Sequence, residues 1–177
     1  MSYEEQIRSI LADSSKWPTY SNPNVISKLD EMADDAIAID KVDETSCIAS
    51  ILILQQITEE LIGIQLKMCR FLVQVRLLPF QIEFKESGPK MFGRLVEDLK
   101  STIDFPHKEQ MIELANRINR ERVEIAHGLI TTSDNKDFVK SALNVRSLFE
   151  EYFKLHENSY DWLCLCLKDL KQEVLGE

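Results

Sequence analysis

The feature that most constrains the fold is a long run of helical periodicity from Asp43 to Leu78, which Pro79 ends. Its apolar residues recur at helical spacing, but they cover more than one stripe of the helix surface. A helix that is apolar on several sides needs neighbours on several sides. We therefore expect this segment to be the central helix of the protein, with Asp43 as its N-cap. The sequence does not decide whether the helix bends near Gly63.

The rest of the chain continues the helical pattern with few breaks, since only five glycines and five prolines occur in 177 residues. Residues 80–89 alternate briefly as a strand would, but no partner strand exists, so we expect a loop there. The sequence thus predicts an all-α, up-down helical bundle of about five to seven helices. It is expected to form a single domain over residues 1–177, with 1–23 as an N-terminal helix and connector. Further helices are predicted over 3–13, 24–39, 90–101, 106–131 and 136–175, the last being one helix or two that break around 157–159.

The net charge of −9 is spread unevenly. Residues 1–45 carry −6, residues 132–177 carry −3, and residues 46–131 are neutral but hold six of the eight arginines. An acidic chain is poorly suited to broad, non-specific binding of nucleic acid, which depends on many phosphate contacts. A small cationic pocket or a basic partner remains compatible with this distribution.

Several common active sites are excluded by composition. Glycine occurs only at positions 63, 88, 93, 128 and 176, so neither a phosphate-binding loop nor a dinucleotide fingerprint can form. The three histidines are too scattered to suggest a metal site, and we expect neither metal nor cofactor. Among them, His107 and His156 are interpreted as surface residues.

The expected location is the cytoplasm. The first residues, MSYEEQIRSI, are charged and polar, unlike a signal peptide. The longest uncharged run, Ser46 to Thr58, is thirteen residues, which predicts no membrane span. The four cysteines lack a C-x-x-C pair and are interpreted as reduced core thiols.

The segment from Pro106 to Thr131 carries the residues of most chemical interest. Arg122 projects from the middle of its predicted core stripe, where a guanidinium needs a carboxylate, a phosphate or several carbonyls. A second stripe carries Asn116, Arg120 and His127. The predicted core stripe consists of Met111, Leu114, Ala115, Ile118, Ile125, Ala126 and Leu129.

The run LANRINRERVEIAHGL places Arg122 and His127 in an R-x4-H spacing and Arg120 and His127 in an R-x6-H spacing. Both spacings resemble the R-x4-6-H motif of the HEPN superfamily (higher eukaryotes and prokaryotes nucleotide-binding). This motif-level resemblance covers about 25 residues, and the rest of the chain corresponds only as an all-α bundle of suitable size. Helix geometry favours Arg120 as the companion of His127, whereas the usual spelling of the motif favours Arg122.

The resemblance implies an endoribonuclease that works without metal. The 2′-hydroxyl of RNA would attack the adjacent phosphate, His127 would assist proton transfer, and Arg120 or Arg122 would hold the phosphate charge. Asn116 and Asn119 are candidates for substrate binding. Since one helix supplies only one pair of arginine and histidine, we expect a homodimer in which two protomers meet around a two-fold axis and form a composite site. The resemblance also suggests a toxin or defence component, with RNA or a nucleotide as ligand and a cognate protein such as an antitoxin as partner.

Two alternatives stay open. Val123 stands where the motif usually has a polar residue, and the exterior is acidic, which favours a non-catalytic HEPN-like or other helical module that binds a nucleotide, RNA or a protein. In the other alternative His127 is a core histidine, the arginines are structural, and the function lies elsewhere on the surface.

Overall fold

The computed structural model describes residues 2–19, 23–38, 43–84, 91–131 and 138–176. Within these ranges the chain forms six α-helices and one short 3₁₀ turn, Ser14–Lys16, and no strand. The predicted all-α bundle is confirmed. The helices are α1 (Tyr3–Ala12), α2 (Pro23–Ala36), α3 (Glu44–Arg76), α4 (Phe92–Lys100), α5 (Lys108–Thr131) and α6 (Phe138–Leu175).

Helix α3 is the central element, as its apolar pattern predicts. Asp43 caps it by accepting a hydrogen bond of 2.7 Å from the backbone N–H of Ser46. The helix runs through Gly63 without interruption and packs against all five other helices, most extensively against α6 and α2. Residues of the other five helices join those of α3 in one buried cluster. The apolar α3 side chains in that cluster are Cys47, Ile51, Leu54, Ile57, Leu61, Ile62, Leu66, Met68, Cys69, Phe71 and Val75.

The apolar character of α3 also bears on the membrane question. By length and composition α3 is long and apolar enough to cross a membrane. The short uncharged run alone therefore does not justify the prediction that no segment spans a membrane. However, 56% of its apolar window is buried inside the protein. Burial against other helices is the ordinary state of a central core helix, so the structure is compatible with a soluble protein.

Helix α6 is one unbroken helix, which settles the choice that the sequence left open. It runs antiparallel to α5, and two hydrogen bonds fix the register. Asn144 Nδ2 donates to Glu121 Oε1 (2.9 Å), and Ser159 Oγ donates to the carbonyl oxygen of Pro106 (2.7 Å). The last turns of α5 therefore lie beside the first turns of α6.

Most predicted helix boundaries differ from the structure by one to three residues. Helix α2 ends at Ala36 rather than near residue 39, and α5 begins at Lys108 rather than Pro106. The second difference has a clear cause, because His107 has a φ of 64°. A residue in this left-handed region cannot continue a right-handed helix, so α5 begins after it. Residues 85–90, which include half of the predicted loop at 80–89, lie outside the described residues.

Candidate functional site

The outer face of α5 carries three of the predicted site residues. Asn116, Arg120 and His127 are all exposed on this helix. Each residue of an α-helix is turned by about 100° from the one before, so Arg120 and His127 differ by only about 20° in direction. They are separated by about 10 Å along the axis. A ligand as long as two linked nucleotides can contact both side chains.

Arg122 and Asn119 lie elsewhere. Both are half-buried, and both line a cleft of about 800 Å³ between α3, α4 and α5. We call this the α3–α4–α5 cleft. Arg122 is turned by about 140° from His127 around the helix, so the two point to different faces. One chain therefore presents Arg120, but not Arg122, beside His127. The full lining of the cleft is Gln55, Gln56, Glu59, Met91, Phe92, Gly93, Arg94, Glu97, Asn119, Arg122 and Val123.

Most charged groups around the α3–α4–α5 cleft have partners. Gln55 Nε2 donates to Glu59 Oε2 (3.1 Å), Lys100 Nζ donates to Glu97 Oε1 (3.0 Å), and Arg94 Nε lies 3.4 Å from Asp98 Oδ1. The two ion pairs offset the charges of Glu97 and Arg94, whereas Gln55 is neutral and leaves the charge of Glu59 in place.

Two polar atoms on the α5 wall of the cleft differ from the rest. Arg122 Nε and Asn119 Oδ1 are shielded from solvent, and among the residues that the structure describes neither atom has a hydrogen-bond partner. The sequence placed Arg122 within the apolar stripe of α5 and predicted polar partners for its guanidinium, but within the described ranges no carboxylate or carbonyl accepts from its Nε. Leaving such an atom unsatisfied costs about 1–3 kcal/mol, so a water or a ligand is expected to meet it.

The predicted core stripe of α5 is largely correct. Burial in the core is found for Met111, Leu114, Ala115, Ile118 and Ile125. Ala126 is exposed, so its assignment to the core was wrong. A methyl group adds little apolar area, so the helical period alone does not decide whether an alanine is buried. The side chain of Leu129 lies outside the described residues.

The three histidines have different environments. His107 is exposed, as predicted, and its Nδ1 lies 3.2 Å from Gln110 Oε1. The prediction for His156 was wrong, because this residue is fully buried and its ring stacks between Tyr152 and Tyr160. Burial lowers the pKa of His156 to about 4. The core histidine of this protein is thus His156, whereas His127 is exposed on α5.

The cleft residues from α3 and α4 were not predicted as site residues. Gln55, Gln56 and Glu59 lie within a strongly apolar helix, and Arg94 belongs to a short amphipathic one, so periodicity alone gives them no special role. The usable signal was Arg122 itself, because a cation on an apolar stripe must face polar groups of the neighbouring helices. In the part of the chain that the structure describes, no three His, Cys, Asp or Glu side chains are grouped to hold a metal ion.

Comparisons of this chain with protein-family models, with curated proteins and with solved structures give no match.

Proposed function

We propose that this chain is a HEPN-like endoribonuclease that needs no metal ion and acts as a homodimer, in a cytoplasmic toxin or defence system. The observation that carries the proposal is the joint exposure of Arg120 and His127 on the outer face of α5. The exposure of His127 counts against the competing interpretation of this residue as a core histidine. The histidine that is buried in the core is His156.

In the proposed reaction the 2′-hydroxyl of one nucleotide attacks the adjacent phosphorus, and the bond to the 5′-oxygen of the next nucleotide breaks. His127 takes part in the proton transfers, because an imidazole titrates near neutral pH. Arg120 binds the phosphate oxygens and stabilises the charge that grows on them. The products are a 2′,3′-cyclic phosphate and a 5′-hydroxyl end.

The dimer is proposed because one chain supplies only one arginine and one histidine on this face. A two-fold axis along the end of α5 would bring two such pairs together in a composite site. Val139 and Leu143, in the first turns of α6, support this arrangement, since they are exposed apolar residues on the segment beside the end of α5. Such residues are suited to burial between two copies.

The test is cleavage of single-stranded RNA by the purified chain in excess EDTA. We expect cleavage to slow by about 100-fold or more in His127→Ala and in Arg120→Met, as is usual when a general acid–base or an anion-binding group is lost. Arg117→Met is the matched control, because Arg117 is an exposed arginine of the same helix outside the proposed site. Arg122→Met tests which of the two arginines binds the phosphate. A small effect of this substitution on the cleavage rate would assign the phosphate contact to Arg120.

Equal cleavage by the wild-type chain and His127→Ala would contradict the ribonuclease. Product ends other than a cyclic phosphate and a 5′-hydroxyl would contradict the mechanism. Sedimentation of the wild-type chain as a monomer at all concentrations would contradict the homodimer.

A second candidate function is a non-catalytic binding or regulatory module. The separation of Arg122 and Asn119 from His127 favours it, since two of the predicted site residues then serve the α3–α4–α5 cleft rather than a cleavage site. Its expected result is no RNA turnover, together with a dimer or a protein complex that weakens in Arg120→Met or His127→Ala. An unchanged sedimentation coefficient in all variants would count against it.

A further inference from the structure

A second cavity lies near the C-terminal end of α4, where α4 packs on α3. Its volume is about 230 Å³, and its walls include Leu66 and Arg70 of α3, Phe84, Arg94 and Asp98 of α4, and Thr102. We call it the Arg70 pocket. Because pockets for drug-sized ligands and cofactors begin at about 300 Å³, this one is suited to a smaller ligand.

The charged end of Arg70 lies at this pocket. Its Cζ atom is 5.5 Å from the centre of the Phe84 ring, and its Nη2 atom is 3.7 Å from Asp98 Oδ2. Phe84 and Asp98 both belong to the walls of the pocket. The guanidinium is therefore placed among the wall residues, and only 20% of the Arg70 side chain is exposed.

The guanidinium of Arg70 has unused hydrogen-bonding capacity. The 3.7 Å between its Nη2 and Asp98 Oδ2 is too long for a hydrogen bond. Within the described ranges Arg70 donates no hydrogen bond at all, so the N–H groups of its guanidinium have no acceptor there. A half-buried guanidinium in this state favours a ligand with two oxygens in one plane, since it binds such oxygens through paired donors.

The surroundings of the Arg70 pocket are positively charged. Arg70 and Arg94 share the carboxylate of Asp98, with Arg94 Nε 3.4 Å from Oδ1. Lys108 adds a third cation, because its Nζ donates to the carbonyl oxygen of Thr102 at 2.8 Å and forms no ion pair with a described residue. The C-terminus of α4 contributes only about half a negative charge, so an excess of roughly one to two positive charges remains.

Charge and wall composition together restrict the ligand. A phosphate group carries about −1.5 to −2 charges at pH 7, and the carboxylate of Asp98, which is 15% exposed, would repel it. A carboxylate carries a single charge, and its two oxygens match the guanidinium. Leu66 is buried and Phe84 is half-buried, so a short hydrocarbon group beside that carboxylate has an apolar surface to pack on.

We propose that the Arg70 pocket binds a small organic monocarboxylate. Its carboxylate group accepts hydrogen bonds from Arg70, and Arg94 and Lys108 add electrostatic attraction. Its short hydrocarbon part packs against Phe84. The pocket shares no residue with the Arg120 and His127 pair, so binding of the carboxylate and cleavage of RNA succeed or fail independently.

The experiment is an NMR titration of the isotopically labelled full chain, read at the Nε–H signals of its arginines at constant pH and ionic strength. The probes are acetate, butyrate and benzoate, with butyramide as the neutral counterpart of butyrate and inorganic phosphate as the competing anion. We expect the Arg70 signal to shift and to saturate with at least one carboxylate at millimolar concentration. That carboxylate should bind at least 10-fold more tightly than butyramide or phosphate.

Arg70→Met tests the position of the site, with binding read at the Arg94 signal. We expect this variant to bind the carboxylate at least 10-fold more weakly, because its paired donors are lost. Arg76→Met is the matched control, since Arg76 is also an arginine of α3 but is paired with Glu173 and lies outside the pocket walls. It should bind the carboxylate as tightly as the wild-type chain.

Asp98→Asn tests the proposal without removing the arginine. Asp98 competes with the ligand for Arg70, so its loss of charge should tighten binding at least 3-fold, whereas a structural defect would weaken it. Asp104→Asn is the control, because Asp104 is exposed and is not part of the pocket walls. The proposal is overturned by unchanged or weaker binding in Asp98→Asn, by undiminished binding in Arg70→Met, by equal or tighter binding of butyramide or phosphate, or by no saturation with any carboxylate.

Discussion

His156 and Tyr160, one turn apart on α6, stack with their ring centroids 6.1 Å apart. Tyr152 stacks on the other side of the imidazole at 6.4 Å, so a titratable ring lies inside an aromatic column. His156 has no exposed surface, and burial lowers its pKa to about 4 from its ordinary value of 6.5.

The stability of the protein should therefore fall as the pH falls from about 6.5 to about 4. In this window the unfolded chain binds a proton at His156 and the folded chain does not, so protonation favours unfolding. A difference of two to three pKa units corresponds to about 3 kcal/mol of unfolding free energy. Urea unfolding at several pH values in this range measures the unfolding free energy. His156→Phe should make this free energy depend less on pH. If the unfolding free energy of His156→Phe falls with pH as steeply as that of the wild-type chain, this prediction is wrong.

The helices and the central place of α3 were predictable because they depend on the spacing of apolar residues within one segment. The environment of His156 was not, because its neighbours in sequence, Lys154 and Glu157, are charged. What buries it is its position on the inner side of α6, one turn from both Tyr152 and Tyr160. That i,i+4 ladder of aromatic residues was the available signal.

The candidate site was predictable only in part, for a similar reason. The direction of Arg120, Arg122 and His127 around α5 follows from helix geometry, and their exposure agrees with it. The α3–α4–α5 cleft depends on which helices pack beside Arg122, and this is decided by long-range contacts that no local pattern encodes. Gln55 and Arg94 meet the same cleft although they belong to different helices.

Arg146 should contribute measurably to the attachment of α2. From α6 its guanidinium bonds to Asp30 and, at 3.1 Å, to Asp34, both on α2, and it is also paired with Glu150. Only 19% of its side chain is exposed. We expect Arg146→Met to lower the unfolding free energy by about 1–2 kcal/mol, because partly buried charged hydrogen bonds are lost.

The matched control for Arg146 is Arg76→Met. Arg76 is also an arginine paired across two helices, at 2.6 Å from Glu173, but both side chains are 62% exposed. Its loss should cost less than about 1 kcal/mol. Urea denaturation in low and high salt measures both variants, and equal losses would show that burial of Arg146 has no energetic consequence.

Gly63→Ala should stabilise the protein. Gly63 lies inside α3, and a Cβ added there would meet no atom within 4 Å. Alanine restricts the unfolded chain and favours the helix by about 0.5–1 kcal/mol relative to glycine. Gly176→Ala is the contrasting variant, because its φ of 71° is unfavourable for alanine and the sign should reverse. A lower urea midpoint for Gly63→Ala than for the wild-type chain would contradict this prediction.

The four cysteines should differ in reactivity toward iodoacetamide. None of the four forms a disulfide; Cys47 and Cys69 are buried, whereas Cys164 and Cys166 are partly exposed. Burial raises the pKa of Cys69 to about 11, so almost none of it is the reactive thiolate at pH 8. Mass spectrometry of the native protein should find Cys164 and Cys166 alkylated first, and all four should react at similar rates in urea. Cys69 is buried in the core to which both α3 and α4 contribute. Early modification of Cys69 in the native protein would therefore mean that these helices separate readily.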